Sequence, residues 1–225
     1  MDSVPPPLLI AHRLPGSAQE CTRLATAGAG GFEIDIQMRG AAVVASHYLP
    51  FLQIPGWLEH DGARFRWGGG RILDPVLIDA VARLPAGALV VLDPKEQRAS
   101  RRHRLADTVA AAVTDGHIDL ARLAVTTDDQ HDLRTYRAAG IATWRTVGTE
   151  QALHVVLRAG PLADAGLAVR HTLLDAGTIE KLHECAGTIA AWTVNDVARA
   201  RELAAIGVDA ITTDSTAVLR TLRAG

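Results

Sequence analysis

Two carboxylates, Glu33 and Asp35, lie at positions i and i+2 in the short apolar run from Phe32 to Ile36. In a β-strand this spacing places both side chains on the same face. Two acids on one face of an apolar strand repel each other and are costly to bury, so a cation is expected beside them. A divalent metal with oxygen ligands is the simplest such cation. The alternative for this stretch alone is an amphipathic strand with one solvated face.

Four further residues that can carry chemistry stand at or just after the ends of other short apolar runs: His12, His47, Asp93 and Lys95. An imidazole has an unperturbed pKa of about 6.5, so a pair of histidines can act as acid and base near neutral pH. Three carboxylates in one place would make a hard oxygen site for a cation. These residue types therefore predict acid–base chemistry beside a metal, provided that the fold brings them together.

The elements that must position these residues alternate regularly. The apolar runs are continuous, which indicates strands that are buried on both faces and paired in parallel, with helices outside. Eight strand–helix units predict an α/β fold, the (β/α)8 TIM barrel. An open doubly wound sheet is the alternative, but no Gly-x-Gly-x-x-Gly turn follows the first strand. The predicted barrel strands are residues 8–11, 32–36, 88–93, 122–126, 141–145, 166–170, 188–192 and 208–212, with an extra strand at 42–46.

The chain is interpreted as one compact domain over residues 1–225, with short helices, since barrels of about 200–250 residues fold as single domains. Residues 48–71 show no clear period and combine prolines, a glycine run and four aromatic residues. A long irregular segment within a compact domain is often a functional loop. We therefore predict an irregular, aromatic-rich insertion after the second unit, serving as a lid or a substrate-facing segment.

Composition narrows the class of protein. The 225 residues are 48% hydrophobic and 21% charged with a formal net charge of -2, which is ordinary for a globular protein and gives no nucleic-acid footprint. Two distant cysteines predict neither a disulfide framework nor a zinc cluster. The chain shows no signal-peptide pattern and no apolar run of the roughly 20 residues that span a membrane, so a cytoplasmic location is expected.

The barrel prediction brings the chemistry to one place, because active sites of such barrels lie at the carboxyl ends of the strands. Any one polar residue at a strand end could be incidental, whereas several from adjacent strands indicate a site. The residues expected at this mouth are His12, Glu33, Asp35, His47, Asp93 and Lys95.

Several motifs resemble the glycerophosphodiester phosphodiesterase family. Near the amino terminus these are His12-Arg13, Glu20 within Gln19-Glu20-Cys21-Thr22, the sequence GAGGFEID at residues 28–35, and His47. Near the carboxyl terminus, WTVND at 192–196 and GVDAITTD at 207–214 resemble the last two strands of the family. The resemblance brackets nearly the whole chain and is weakest in the middle.

The resemblance implies a (β/α)8 barrel that binds one divalent cation, Mg²⁺ or Ca²⁺, and uses two histidines as acid and base. By matching positions, Glu33, Asp35 and Asp93 correspond to the metal ligands, and His12 and His47 to the catalytic pair. The remaining matches are Arg13 and Lys95 near the phosphate, and Glu20, which would orient the arginine or the metal shell.

The implied activity is metal-dependent cleavage of a small-molecule glycerophosphodiester, releasing an alcohol and a phosphomonoester or cyclic phosphate. A cation neutralises the charge that a phosphodiester gains in its transition state. Our hypothesis is that His12 activates the attacking hydroxyl, from water or from the substrate, and His47 protonates the leaving alkoxide. Trp192 and His171, at the ends of two later strands, are further candidates for substrate contact.

Departures from the family pattern leave related activities open. Leu14 and Tyr48 replace a usual glycine and acid, and the third ligand stands in Asp93-Pro94-Lys95. This Asp-x-Lys form and the short first helix are similar to the sphingomyelinase D / phospholipase D branch, which acts on lipid phosphodiesters. A metal-dependent lyase or cyclase and a catalytically inactive binding barrel also stay open.

The remaining charged residues have simpler interpretations. Asp129 and Asp214 are expected to cap helices, with a phosphate-binding loop as the alternative for Asp214. Asp74 with Pro75 is expected to start a helix over 73–84. The histidines at 103, 117 and 131 are expected on the surface. A basic run is interpreted as a solvated helix face, with attraction to phosphate or to an anionic lipid surface as the alternative: Arg98, Arg101, Arg102 and Arg104.

Overall fold

Helices and strands alternate along most of the chain. The computed structural model describes residues 5–14, 16–46, 76–96, 98–163 and 165–223, and the backbone of three short strands between 49 and 68. The strands are β1 (Leu8–Ala11), β2 (Gly31–Arg39), β3 (Ala42–Ala45), β4 (Leu49–Pro50), β5 (Trp57–His60), β6 (Phe65–Gly68), β7 (Leu89–Pro94), β8 (Leu123–Thr127), β9 (Ala142–Val147), β10 (Gly166–Arg170), β11 (Ile189–Trp192) and β12 (Ala210–Thr213). The helices are α1 (Ala18–Ala27), α2 (Leu77–Ala82), α3 (Ala99–Thr114), α4 (Gln130–Ala138), α5 (Glu150–Ala159), α6 (Ala176–His183), α7 (Val197–Ala205) and α8 (Thr216–Arg223).

Eight parallel strands close into a ring in the order β1, β12, β11, β10, β9, β8, β7, β2, and β2 pairs back with β1. Helices lie between successive strands, so the predicted (β/α)8 barrel is confirmed. The extra strand is also found: β3 pairs antiparallel with the part of β2 that continues past the barrel. Among the described helices, none is both long and apolar enough to cross a bilayer.

Local sequence signals start most of the helices. Side-chain oxygens of cap residues accept hydrogen bonds from backbone amides in the first turn, which satisfies donors that the helix itself leaves unpaired. The predicted cap at Asp129 is confirmed, since its Oδ1 accepts from the amides of His131 and Asp132. Equivalent caps are Ser17 for α1, Thr149 for α5, Asp175 for α6 and Asp196 for α7.

The helix predicted over 73–84 is shorter than expected. It begins at Leu77 and ends at Ala82, and its cap position, Val76, has no side-chain oxygen to offer. Val76 instead forms an antiparallel bridge with Val44, which keeps Val76 itself out of the helical conformation. The expected start signals, Asp74 and Pro75, lie outside the described residues.

Alternate residues on each strand serve two separate cores. One set packs outward against the helices, as Leu9, Val90 and Leu92 do. The other set points into the barrel and forms a smaller cluster. Its buried members are Ile10, Val91, Ala124, Trp144, Ala168, Ala190 and Ala210.

The segment predicted as an irregular insertion, 48–71, contains more order than expected. β4, β5 and β6 lie within it and pair antiparallel as a three-stranded sheet, separate from the barrel strands. The structure describes only the backbone of these strands. A role of this insertion as a lid stays a prediction.

Candidate active site

The carboxylates of Glu33, Asp35 and Asp93 form one cluster at the barrel mouth. In the parallel pairing of β2 with β7, Asp35 stands directly opposite Asp93. Glu33 precedes Asp35 by two residues and therefore shares its face. One carboxylate oxygen from each residue lies within 4.8 Å of the others. Glu33 is only 5% exposed and Asp35 only 3%, so this charge is concentrated where water screens it little.

Lys95 stands between two of these acids. Its Nζ lies 2.9 Å from Oδ1 of Asp35 and 2.6 Å from Oδ2 of Asp93. The amide of Lys95 donates to the carbonyl of Ile36, which continues the strand pairing and keeps Lys95 on the same face as Asp93. Burial alone would lower the pKa of Lys95, but Asp93 and Asp35 outweigh that effect and raise it. The ammonium is therefore a fixed cation of the site.

Glu33 is the acid that Lys95 does not reach. Its Oε2 accepts a hydrogen bond of 2.8 Å from the backbone amide of Arg13, while its buried Oε1 has no hydrogen-bond partner among the described residues. Burial raises the pKa of Glu33 well above its usual range, and the charges of Asp35 and Asp93 raise it further. Burial likewise raises the pKa of Asp93, against the opposing pull of Lys95.

The donor set fits a divalent cation. Three carboxylates face a single ammonium, which leaves an excess of negative charge in a poorly solvated place. Oxygen ligands of this kind suit hard cations such as Mg²⁺ and Ca²⁺. The unpaired Oε1 of Glu33 is a lone-pair donor that the rest of the described site does not use.

The loop after β1 is shaped around Glu33. Arg13 adopts a left-handed backbone conformation with φ of 66°, which costs a non-glycine residue on the order of 1 kcal/mol. In this conformation its amide points at Oε2 of Glu33. The hydrogen bond to a buried carboxylate is a charge-assisted contact that can offset such a cost.

His12 links the carboxylate cluster to the last strand. Its Nδ1 lies 2.8 Å from Oδ1 of Asp214, and its Nε2 lies 3.9 Å from Oε2 of Glu33. The hydrogen bond with His12 lowers the pKa of Asp214, so this carboxylate is ionised over a wide pH range. Asn195 holds Asp214 in turn, because its Nδ2 donates to Oδ2 and its Oδ1 accepts from the Asp214 amide.

Asp214 corrects a sequence-based prediction. The helix-capping role falls to Ser215, whose Oγ accepts from the amide of Val218, while the Asp214 side chain turns to His12. Sequence reasoning gave a phosphate-binding loop only as an alternative for Asp214 and missed its contact with His12. The signal that could have found it was its place directly after a barrel strand, the same place that identified His12.

A cavity of about 370 Å³ opens beside these groups within the barrel. Trp192, predicted to contact substrate, lines it, and its buried Nε1 has no hydrogen-bond partner among the described residues. The described lining residues are His12, Glu33, Val91, Asp93, Pro94, Lys95, Thr126, Trp144, Thr146, Ala168, Ala190, Trp192, Thr193 and Thr212.

Arg13 and Glu20 line a second cavity, of about 290 Å³, on the other side of His12. Glu20 accepts a hydrogen bond from the Gly16 amide and lies 3.7 Å from Arg23. His171 is not among the described residues lining either cavity. It begins a 3-10 helix after β10, and its carbonyl accepts from Arg199.

His47, the second predicted catalytic histidine, lies outside the described residues. The described chain reaches Ser46, whose amide donates to the carbonyl of Asp35. This bond ties the end of the extra strand to the strand that carries the carboxylates. The pairing of His12 with His47 therefore stays a prediction.

A second group of potential metal ligands, His103, Asp129 and Asp132, lies between α3 and α4. Arg102 pairs with Asp129 and lies 3.3 Å from Asp132. The ring of His103 packs against that of His131, with centroids 3.9 Å apart. These contacts correct one expectation, since Arg102 is paired with acids and not simply solvated. His103, with 37% of its side chain exposed, lies at the surface as expected and stacks on His131 there.

Comparison with solved structures finds the same barrel fold in several phosphodiesterases. A phosphodiesterase from Oleispira antarctica, solved with the product sn-glycerol-3-phosphate, is 18% identical with a TM-score of 0.72, covering 98% of both chains. A glycerophosphodiester phosphodiesterase from Parabacteroides distasonis is 18% identical, with a TM-score of 0.71 over 99% of both chains. The Thermotoga maritima enzyme of that name is 16% identical, with a TM-score of 0.66 over 96% of this chain and 98% of its own.

At sequence identities this low, the structural similarity establishes only that the fold is shared. No protein-family model and no curated protein sequence matches the chain significantly. The assignment of chemistry therefore depends on the residues at the mouth of the barrel.

Proposed function

We propose that this chain is a metal-dependent phosphodiesterase of the glycerophosphodiester phosphodiesterase type. The observation that carries the proposal is the cluster of Glu33, Asp35 and Asp93 beside His12, at the carboxyl ends of the barrel strands. The structural neighbours, which bear the same family name as the sequence resemblance, support it. Cytoplasmic location remains a prediction from the sequence.

Glu33, Asp35 and Asp93 would hold one divalent cation, Mg²⁺ or Ca²⁺. When bound, the cation supplies Lewis-acid stabilisation to a phosphoryl oxygen. Lys95 provides a second positive charge beside Asp35 and Asp93, where it attracts the anionic phosphodiester. The combination offsets the charge that builds on the phosphoryl oxygens in the transition state.

His12 is the proposed base. Asp214 accepts a hydrogen bond from Nδ1, so the proton sits on that nitrogen and Nε2 keeps its lone pair toward the carboxylate cluster. Nε2 then takes the proton of the attacking hydroxyl, from water or from a neighbouring hydroxyl of the substrate. The arrangement of an acid, a histidine and a reacting group is the one that activates nucleophiles in many enzymes.

His47 is the proposed acid, which protonates the leaving alkoxide. Arg13 and Trp192 are proposed contacts of the phosphate and the substrate, since each lines a cavity that His12 also lines. Glu20 is proposed to orient Arg13 or the metal shell, and His171 to contact substrate from outside the described cavity lining.

The substrate class is proposed to be glycerophosphodiesters. The Oleispira antarctica structure contains sn-glycerol-3-phosphate, the phosphomonoester that cleavage of such a diester yields. Attack by water would produce a phosphomonoester, and attack by a substrate hydroxyl would produce a cyclic phosphate.

A panel of phosphodiesters tests the proposal. Purified protein is incubated with glycerophosphodiesters and choline-bearing lysophospholipids, with Mg²⁺ or Ca²⁺ and with excess chelator, and products are identified by ³¹P NMR. We expect a phosphomonoester or a cyclic phosphate with metal and no product with chelator. Absence of turnover on every diester, with or without metal, would overturn the proposal and favour a binding barrel.

One further outcome separates the related activities, and one variant serves as a control. Turnover of the lysophospholipids alone would assign the chain to the sphingomyelinase D / phospholipase D type of activity. A His12→Asn variant is the matched control, since it removes the proposed base and should lower kcat by about two to four orders of magnitude.

A further inference from the structure

The barrel interior beneath the proposed reaction site is unusually empty of large aliphatic side chains. Barrel interiors are typically filled by layers of bulky Val, Ile and Leu residues. Here, four of the seven buried members of the inner cluster are alanines: Ala124, Ala168, Ala190 and Ala210. Two of these, Ala168 and Ala190, directly line the cavity of about 370 Å³. The space that larger side chains would fill at these positions is therefore continuous with the cavity of the proposed site.

The cavity has two chemically distinct sides. The charged or titratable side chains in its described lining come from three neighbouring strands or from the residue directly after one of them: His12 after β1, Glu33 in β2, Asp93 in β7 and Lys95 after β7. The side formed by β8 to β12 contributes threonine hydroxyls, two alanines and two tryptophans, without a charged group among the described lining residues. A substrate is thus held by charge on one side and by apolar and aromatic surface on the other.

Trp144 forms the deep part of this uncharged side. It is 6% exposed and belongs to the inner cluster with Ala168 and Ala190. Its position depends on Gly166, because a Cβ at that residue would meet Cδ1 of Trp144 at 2.8 Å. Because Gly166 of β10 has no side chain, the Trp144 ring can occupy a position with which a larger residue would clash.

Trp192 closes the uncharged side nearer the mouth. The Arg170 guanidinium lies 5.6 Å from the centroid of its ring, a cation–π contact. A cationic substituent approaching Trp192 would meet this existing positive charge. Arg170 itself is not among the described lining residues, and none of the described lining residues on this side is charged. A charged substituent of either sign would therefore be desolvated here without a counter-ion in the lining, so the surface favours an uncharged group.

Building on the proposed function, we propose that Trp144, Ala168 and Ala190 form a specificity pocket for an uncharged, largely apolar substituent of the phosphodiester. A cavity of about 370 Å³ lies at the small end of ligand sites, which span roughly 300–1,000 Å³, and it must also admit the phosphate. The substituent is therefore compact, of the size of a phenyl ring or a short alkyl chain.

Substrate comparison on the metal-loaded wild-type protein is the first test. The substrates are glycerol phosphodiesters of phenol, butanol, methanol, choline, ethanolamine and serine, compared by kcat/KM. We expect the butyl ester, whose alkoxide is no better a leaving group than those of the charged esters, to exceed all three charged esters by about tenfold or more, the scale that apolar pockets achieve for added apolar groups. The phenyl ester serves for comparison between variants, where the better leaving ability of phenolate cancels. Equal or higher values for the choline, ethanolamine or serine esters would overturn the pocket assignment and leave the phosphodiesterase proposal standing.

Filling the pocket is the second test. Ala168→Leu and, from the adjacent strand, Ala190→Leu place extra volume in the cavity, and the exposed Ala205→Leu at the end of α7 is the matched control. We expect the ratio of phenyl to methyl ester kcat/KM to fall at least about tenfold in both pocket variants and to stay at the wild-type value in Ala205→Leu.

A binding measurement separates the pocket from the chemistry. A non-hydrolysable phenylphosphonate monoester of glycerol should change tryptophan fluorescence on binding, with a Kd at least about tenfold weaker in Ala168→Leu. Circular dichroism and thermal melting show whether each variant is folded, and Ala190→Leu replaces Ala168→Leu if the latter is not. Unchanged selectivity and unchanged Kd in a folded pocket variant would overturn the inference. No hydrolysis of any ester by the wild-type protein would instead overturn the proposed function.

Discussion

The Nδ1 atom of His12 lies 2.8 Å from Oδ1 of Asp214, although 202 residues separate the two in the sequence. The pairing β1–β12 brings them together, because the two strands are neighbours in the ring and each residue follows its strand. With Nδ1 engaged in this way, Nε2 is the nitrogen directed toward Glu33. A contact between the first and the last strands thus sets the direction in which His12 can exchange a proton.

Asp214→Asn tests whether this contact positions His12. The variant keeps the side-chain shape but removes the charge that orients the ring and stabilises its protonated form. We expect kcat on the best phosphodiester of the panel to fall about 10–100-fold with a smaller change in KM, the range found for groups that orient a functional histidine. Asp115→Asn, at an exposed helix end, is the control and should leave both constants unchanged. An effect confined to KM would contradict the positioning role.

The location of the metal can be tested by calorimetric titration with Mg²⁺ and Ca²⁺. Glu33→Gln removes a ligand charge from the barrel mouth and should weaken cation binding by at least about tenfold, because carboxylates are preferred ligands of these ions. Asp129→Asn is the matched variant in the other candidate cluster, and asparagine retains the helix cap. Loss of binding in Asp129→Asn with normal binding in Glu33→Gln would move the metal to the second cluster.

Lys95→Met tests the balance of charge in the cluster. Removing the ammonium takes away the cation that stands between Asp35 and Asp93, and the metal-free protein should lose about 2–4 kcal/mol of unfolding free energy. The expected loss is smaller than the largest losses found when a buried ion pair is broken, because 28% of the Lys95 side chain is exposed to solvent. Saturating Mg²⁺ or Ca²⁺ should reduce the loss, since a bound cation neutralises the same carboxylates.

Urea unfolding with and without chelator measures both quantities for Lys95→Met. The exposed Lys181→Met serves as the control. Equal losses in the presence and absence of metal would indicate that the cation does not bind beside Asp35 and Asp93.

Ionisation of the buried Asp132 side chain makes the folded protein less stable as the pH rises. The side chain is fully buried, and burial, followed by the charge of Asp129, raises its pKa. The folded state therefore holds this proton more tightly than the unfolded state, whose Asp pKa is about 3.9. The contribution of Asp132 to stability consequently declines as the pH rises from about 4 through the raised pKa.

Asp132→Asn has no proton to lose, so its stability relative to wild type should increase with pH over the same window. Asp129→Asn should show the opposite trend. Burial alone would raise the pKa of Asp129, but amide hydrogen bonds and Arg102 lower it, so its contribution is lost as the pH falls. Urea unfolding at pH steps from about 2 to about 7 measures both trends, the Asp129 trend below about pH 4 and the Asp132 trend above it. Parallel pH profiles for the two variants would contradict this assignment.

The alternation of strands and helices could be predicted from the sequence because its causes are local. Continuous apolar runs mark strands buried on both faces, and cap residues such as Asp129 mark helix starts. Reasoning from local signals also accounts for the error at the start of α2, because the bridge between Val76 and Val44 keeps Val76 out of the helix. That bridge joins distant residues, so no nearby signal announces it.

Part of the candidate site was equally visible. Glu33 and Asp35 share a face because strand geometry alternates side chains, and Asp93 ends another strand. The sequence placed these acids at one mouth through the barrel prediction. It did not reveal that Asp35 stands directly opposite Asp93 in the register, or that Lys95 stands between them.

Hydrophobic pattern and side-chain period are properties of short segments, so the fold class and the residue types at the mouth followed from the sequence alone. The folded barrel was needed to show that Asp214 holds His12 instead of capping α8. It was also needed to show that alanines and tryptophans leave an apolar pocket opposite the carboxylates. These features arise where strands distant in sequence become neighbours in the closed ring, and strand register and side-chain volume are then set by the whole barrel at once.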